Sequence, residues 1–299
     1  MAGIILVLTT GIIWNFVGII FGGLDREQGK VYGFFLINAV IFSLFSLVFA
    51  ILTGHPGTVR FSDLLILAGM ITPVGLLSML NFYSLKRAME YGPQSIAWSV
   101  VQFSFTLSYA VAVLFLGSRC APVNVCGIGL MCLSIGLFVY SMNRKSQKSS
   151  DFRKPAFFKY AACAFLGTGF AHVLYMLPNQ PFFGLSRDVM PFRLPLLAVP
   201  QLLWLVPVLK TRVPLKDFCA VCKRATLYSL TVCAGQVCYF QAIDALNRTE
   251  RIGLASPLAI GSCVLFFFLY RVVSRKESAD FAMSCGLVSG IAGLFLMSA

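Results

Sequence analysis

The stretch GIGLMCLSIGLFVYS, Gly127 to Ser141, returns near the end of the chain as SCGLVSGIAGLFLMS, Ser284 to Ser298. Laid together without a gap, Gly129 falls on Gly286, Leu130 on Leu287, Gly136 on Gly293, Leu137 on Leu294, Phe138 on Phe295 and Ser141 on Ser298. The same shift pairs Ala88 with Ala245, Ser99 with Ser256 and Arg119 with Lys276. A small-residue pattern written twice, half a chain apart, points to a duplicated unit rather than to two independent helix-packing glycines.

What the unit is follows from composition. Of the 299 residues, 58% are hydrophobic and 12% charged, and the mean hydropathy is +0.84. So little polar surface cannot cover a water-soluble globule of this size, and the chain belongs in a bilayer. A crossing helix needs about 20 apolar residues at about 1.5 Å each. Ten runs qualify by eye: Gly3 to Phe21, Val31 to Leu52, Leu64 to Leu85, Ser95 to Gly117, Val123 to Met142, Phe158 to Leu177, Leu194 to Leu209, Ala225 to Leu246, Ile252 to Val273 and Phe281 to Met297. They are long and continuously apolar, which predicts helices and not barrel strands. The seventh is short and carries Pro195, Pro200 and Pro207, so it is expected to kink or break. The first run has no basic n-region or small-residue cleavage site, and reads as a first span rather than a signal peptide.

Five runs precede and five follow the basic, serine-rich stretch NRKSQKSSDFRKPA, Asn143 to Ala156. The expected organisation is a first five-helix repeat over 1–143, a cytoplasmic linker over 144–156 and a second repeat over 157–299. An odd number of spans per unit makes the second copy enter the membrane from the opposite side. The predicted fold is therefore all-α, ten transmembrane helices in two inverted five-helix repeats, the arrangement that supports alternating access around a midplane site.

Charge orients the chain. The odd-to-even connections hold 18 of the 24 Lys and Arg, leaving Arg60, Arg119, Arg187, Arg193, Arg248 and Arg251 on the other side. The positive-inside rule puts the 18-charge side in the cytoplasm and both termini outside, in a multi-pass protein of a cell (inner) membrane. The net charge of +13 is then a topology signal and needs no nucleic-acid partner, the basic residues being split among short loops.

With these spans in place the chain resembles a family. Ser95 to Val139, SIAWSVVQFSFTLSYAVAVLFLGSRCAPVNVCGIGLMCLSIGLFV, looks like helix four, turn and helix five of the EamA-like members of the drug/metabolite transporter (DMT) superfamily, and Thr10 to Phe21, TGIIWNFVGIIF, is similar to their first helix. The resemblance covers essentially the whole chain and implies a transporter of small solutes without a cofactor. One departure stands out: Ser118 and Arg119 occupy the place where that family often carries an acid after the glycine that ends helix four.

Polar side chains inside spans turn toward protein or water, so helical spacing suggests which line a central site. Helix four offers Ser95, Trp98, Gln102 and Thr106; helix six Thr168, His172, Tyr175 and Asn179; helix one Thr10, Trp14 and Asn15; helix eight Gln236, Tyr239 and Gln241. The expected substrate-binding set is Trp14, Asn15, Trp98, Gln102, His172, Tyr175, Gln236 and Tyr239. Amides and hydroxyls beside aromatic faces suit a neutral or zwitterionic solute such as a sugar, nucleoside or amino acid.

No Asp or Glu lies near the centre of a run: Asp63 begins the third, and Glu90 and Asp244 are close to helix ends. This argues against exchange of protons for cationic drugs, which needs a carboxylate at mid-membrane. Enzymatic readings find little: Cys219 and Cys222 form a CxxC without a second pair or nearby His, so no metal is expected, and no phosphate-cradling glycine loop occurs. The ten cysteines read as core residues. The function expected is secondary transport of a small organic metabolite; the alternatives are export of lipophilic drug-like compounds, or a non-transporting sensor or scaffold. The partners expected are the solute and the lipid bilayer, with a homodimer left open.

Overall fold

Apolar runs of this length have only one way to satisfy their backbone in hydrocarbon, and among the described residues every regular element is helical. The computed structural model describes residues 1–24, 27–54, 57–92, 94–146, 154–274 and 280–299. The helices are α1 (Ala2–Gly22), α2 (Gln28–Thr53), α3 (Phe61–Tyr91), α4 (Gln94–Gln102), α5 (Phe105–Phe115), α6 (Pro122–Ser146), α7 (Lys154–Met176), α8 (Arg193–Ala198), α9 (Leu205–Thr211), α10 (Leu215–Asn247), α11 (Ala255–Val273) and α12 (Phe281–Ser298). The core of the basic linker, 147–153, lies outside the described residues, as do His55 and the basic residues Arg26, Arg275 and Lys276; α6 and α7 take up the linker's two ends.

Nine segments of the described residues are long and apolar enough to cross a membrane, which fits a multi-pass membrane protein. The run that misses this standard is the eighth, not the proline-rich seventh. Its helix, α10, is 33 residues long, about 50 Å at 1.5 Å per residue. Charged residues in its first turns and Gln236, Tyr239 and Gln241 further on dilute its apolar character.

Two spans depart from continuous α-helix. The fourth is broken between α4 and α5, where Ser104 N–H bonds Val101 O, Thr106 N–H bonds Phe103 O and Leu107 N–H bonds Ser104 O in tight i to i+3 turns. Past the break the Thr106 hydroxyl donates to Phe103 O. Protein covers the break: a Cβ on Gly169 of α7 would lie 3.3 Å from Ser104 O, so glycine lets α7 approach. The seventh span is broken as its prolines require: 3-10 turns at Arg187–Phe192 and Val199–Trp204 alternate with α8 and α9.

Close backbone approaches hold the bundle together. α6 packs along α12, α1 against both α10 and α11, α3 against α7, and α2 against α10. At the α6–α12 contact a Cβ on Gly293 would lie 2.7 Å from Gly127 O, and the Ser134 hydroxyl donates to Gly286 O at 2.6 Å. Of the repeated glycines, then, Gly286 and Gly293 lie in this seam, while Gly129 and Gly136 have nothing within 4 Å of an added Cβ. Gly75 of α3 meets the broken seventh span, where its Cβ would lie 2.5 Å from Leu197 O.

The cysteines are less internal than their type suggested. Only Cys233 and Cys263 are buried, and Cys120, Cys126, Cys163, Cys219 and Cys222 are exposed. On a bundle bathed in lipid the outer surface is apolar too, so hydrophobicity does not mark the inside.

Hydrogen bonds sort the connections onto two faces. On one, Thr58 donates to Asp188, Ser186 N–H to Asp63, Arg119 pairs with Glu250 and Arg251 donates to Ala299 O, while Gly3 lies against Ala245 and Leu246. Both chain ends therefore border the turn between α10 and α11. On the other face Arg224 donates to Gly23 O, Lys86 to Leu24 O and Ser141 to Asp280.

Candidate functional site

Four of the eight expected site residues meet between α1, α7, α10 and α11. Gly235 makes room for Trp14, since a Cβ there would lie 2.6 Å from the indole nitrogen. The Trp14 ring then sits 4.9 Å from that of Tyr239 and 6.0 Å from that of His172, centroid to centroid. His172 Nδ1 lies 2.9 Å from the Tyr239 hydroxyl, which lies 2.8 Å from the Ser256 hydroxyl. Tyr239 has one proton, so it donates to at most one of these two neighbours. Tyr175 closes the group, 5.8 Å from His172 and 5.9 Å from Tyr239 by ring centroids, with Ser78 and Gln236 beside its hydroxyl.

Of the remaining four, Gln236 borders the group at the Tyr175 hydroxyl, and Asn15, Trp98 and Gln102 make no bond to it. Trp98 packs on Gly18 and Phe21, further along α1. Gln102 is buried at the end of α4, next to the break. Asn15 Oδ1, Trp98 Nε1 and Gln236 Nε2 are buried without a hydrogen-bond partner among the described residues. Such groups are uncommon, and they mark where a polar solute or water would find bonds. The side chain of Ser95 lies outside the described part.

None of the eight lines either of two cavities at the opposite ends of the bundle. The larger, about 500 Å³, opens on the face of the chain ends, between the end of α2, the start of the seventh span and the end of α10. Arg193 is 3% exposed there and makes a two-pronged ion pair with Asp244, at 2.9 Å to Oδ1 and 2.7 Å to Oδ2. Asn179 donates to the same Oδ1 at 2.7 Å, Arg193 Nε donates to Met190 O, and the guanidinium lies 4.6 Å over the Phe240 ring. Phe240 lines this cavity and meets Tyr175 of the His172 group edge to face, with ring centroids 5.4 Å apart.

The smaller cavity, about 180 Å³, lies on the other face, walled by Gln28 and Tyr32 of α2, Trp204, and Tyr83, Lys86, Arg87 and Glu90 of α3. Arg87 pairs with Glu90 at 2.8 Å and lies 5.4 Å over Tyr83.

The sequence reading missed the Arg193–Asp244–Asn179 network. Its signal was present: a lone Arg at the head of a proline-broken span and a lone Asp near the end of α10, of opposite sign and on the same face. Read singly, Asp244 is an acid close to a helix end and Arg193 one of six outer-face charges, and neither points to the other.

No family model matches the sequence, and no curated protein matches it either. A solved crystal structure, described only as that of a protein, superposes with TM-score 0.67 over 100% of this chain and 98% of its own, at 12% identity. Similarity at that identity shows a shared fold and nothing of the activity. The chain thus has the fold of a solved protein over its full length, built from helices that fit a multi-pass membrane protein.

Proposed function

We propose that the chain is a secondary transporter of a small organic metabolite, on the ten-span, twice-five plan of the EamA-like DMT carriers, working by alternating access. One observation carries the reading: the pattern of helix contacts survives exchange of the two halves. Count α4 with α5 as the fourth span and 187–211 as the seventh. The contact of α1 with α10 then has its partner in α7 with α3, and that of α1 with α11 in α7 with α4 and α5. The contact of α2 with α10 answers that of the seventh span with α3, while α6 with α12, second span with seventh, and fourth span with α11 exchange with themselves. A bundle equivalent to its own inverted copy has two conformations of comparable energy, one open to each face.

The cavities support the same exchange. A shift of 157 positions, the one that takes Gly129 to Gly286, takes Tyr83, Arg87 and Glu90 of the smaller cavity to Phe240, Asp244 and Asn247 of the larger. It also takes Asn15 to His172, so the two halves contribute buried polar groups from equivalent places.

Paired spin labels test this in bilayers, one pair at Thr53 and Gly184 across the larger mouth and one at Gln28 and Glu90 across the smaller. Alternating access gives two distances at each mouth. A single narrow distance at both, unchanged by any solute tried, would leave a rigid scaffold and end the transport reading.

A further inference from the structure

We infer that the larger cavity takes a small organic anion, held by Arg187 and Arg248. This rests on the transport reading for its biological sense, and it departs from the neutral or zwitterionic solute suggested by the polar stripes. The face on which the cavity opens is poor in cations, with six Arg and no Lys by the span assignment. Three of those six, Arg187, Arg193 and Arg248, line this one cavity.

Its one carboxylate, Asp244, is already occupied by the two-pronged bond to Arg193. The other acids of that face are engaged as well: Asp63 accepts from Ser186 N–H, Asp188 from Thr58, and Glu250 pairs with Arg119. Arg187 and Arg248 have no carboxylate partner among the described residues. The cavity thus carries a surplus of two positive charges beside the apolar lining of Phe240 and Val237.

A concave, low-dielectric wall focuses such a surplus and concentrates anions at its mouth. Guanidinium groups bind carboxylate and phosphate oxygens in pairs, which adds direction to the attraction. The opposite cavity repeats the imbalance, with Lys86 and Arg87 against Glu90. Topology rules account for cations on that face but not for their gathering around the larger cavity.

Carboxylate or phosphate could reach the site on a free solute or on an anionic lipid headgroup, and the test separates the two. Purified protein in phosphatidylcholine nanodiscs is titrated with succinate, inorganic phosphate, glucose 6-phosphate and glucose while Tm is followed, and then in nanodiscs containing phosphatidylglycerol. The expected result is a rise of about 2–4 °C with one of the three anions, corresponding to ligand well above Kd. Glucose gives no rise, Arg187→Gln/Arg248→Gln abolishes the anion effect, and Arg60→Gln, outside the cavity, retains it. An anion effect undiminished in the double variant, stabilisation by anionic lipid alone, or by glucose alone, overturns the inference. Counterflow of the same solutes in proteoliposomes distinguishes the underlying reading. Glucose exchange indifferent to the double variant sinks the anion site and leaves transport standing, whereas Arg-dependent binding without counterflow keeps the site and sinks transport.

Discussion

Tyr239 shows how much one hydroxyl can organise in a dry interior. It joins His172 of α7 to Ser256 of α11 through bonds of 2.9 and 2.8 Å, and its ring lies against Trp14 of α1. Tyr239→Phe keeps the ring and strands two polar groups, a loss of about 1–2 kcal/mol, toward the upper end for bonds between membrane helices. Unfolding in mixed micelles should show it, and Ser256→Ala added to Tyr239→Phe should cost little more, because both changes break the same bond. Full additivity of the two would mean the bond carries no energy. Asp244 carries a larger burden. Asp244→Asn leaves the buried Arg193 guanidinium without its counter-charge, which costs about 2–3 kcal/mol, less than for a sealed pair because Asp244 is 32% exposed. Arg193→Met together with Asp244→Leu should recover most of that loss in the same assay, since removing both charges removes the desolvation penalty. These residues also mark where sequence reading reached its limit. Periodicity placed Trp14, His172, Tyr175 and Tyr239 on inward faces, and they do converge. It had no means of knowing that the hydroxyl and the imidazole would bond each other and close the space between them.

At the scale of the helix, glycine decides which elements meet. A Cβ on Gly11 of α1 would collide with the Ser262 hydroxyl, and would lie 2.5 Å from Ala259 O and 2.8 Å from Cys263 N. Two of these are backbone atoms of α11 and cannot turn aside, so Gly11→Leu forces the helices apart. We expect a loss of at least about 1–3 kcal/mol, the ordinary range for an overfilled contact, with a matching drop in the yield of folded protein after extraction. Gly69 of α3 is the control: nothing lies within 4 Å of an added Cβ, and Gly69→Ala should be neutral or stabilise by up to about 1 kcal/mol through helix propensity. Equal damage from both would refute the contact. Sequence alone does not separate such glycines, because Gly11 and Gly69 both stand inside apolar runs. The breaks divide the same way. Prolines 195, 200 and 207 announced that the seventh span would not be regular. The interruption at Phe103 and Ser104 has neither Pro nor Gly to announce it, and it lies where Gly169 lets α7 pass close, a tertiary contact that local composition does not record.

For the molecule as a whole, the reading of ten apolar runs recovered the order of the helices, and among the described residues nine segments are long and apolar enough to cross, because bilayer thickness imposes a length that any sequence must meet. It gave less weight to what holds them, since packing between helices in lipid depends on shape and not on hydrophobicity. The contact pattern makes a demanding statement here. α1 rests on α10 and α11, α3 on α7, α2 on α10, and α6 on α12, so each half finds many of its neighbours in the other. Neither half then has a complete core of its own, and each alone would leave buried groups such as Ser134, which donates to Gly286 O, without partners. The chain cut between Ser146 and Lys154 should reassemble when residues 1–146 and 154–299 are made together, because the helix contacts of the described residues cross the cut. Pull-down through a tag on the first piece should recover the second in near-equal amount, with Tm within a few degrees of the intact chain, the linker contributing mainly loop-closure entropy. Gly11→Leu should weaken that recovery and Gly69→Ala should not. If instead each piece accumulates as a stable monomer and the two ignore one another, the interlocked arrangement is wrong, and with it the idea that the halves exchange roles across the membrane.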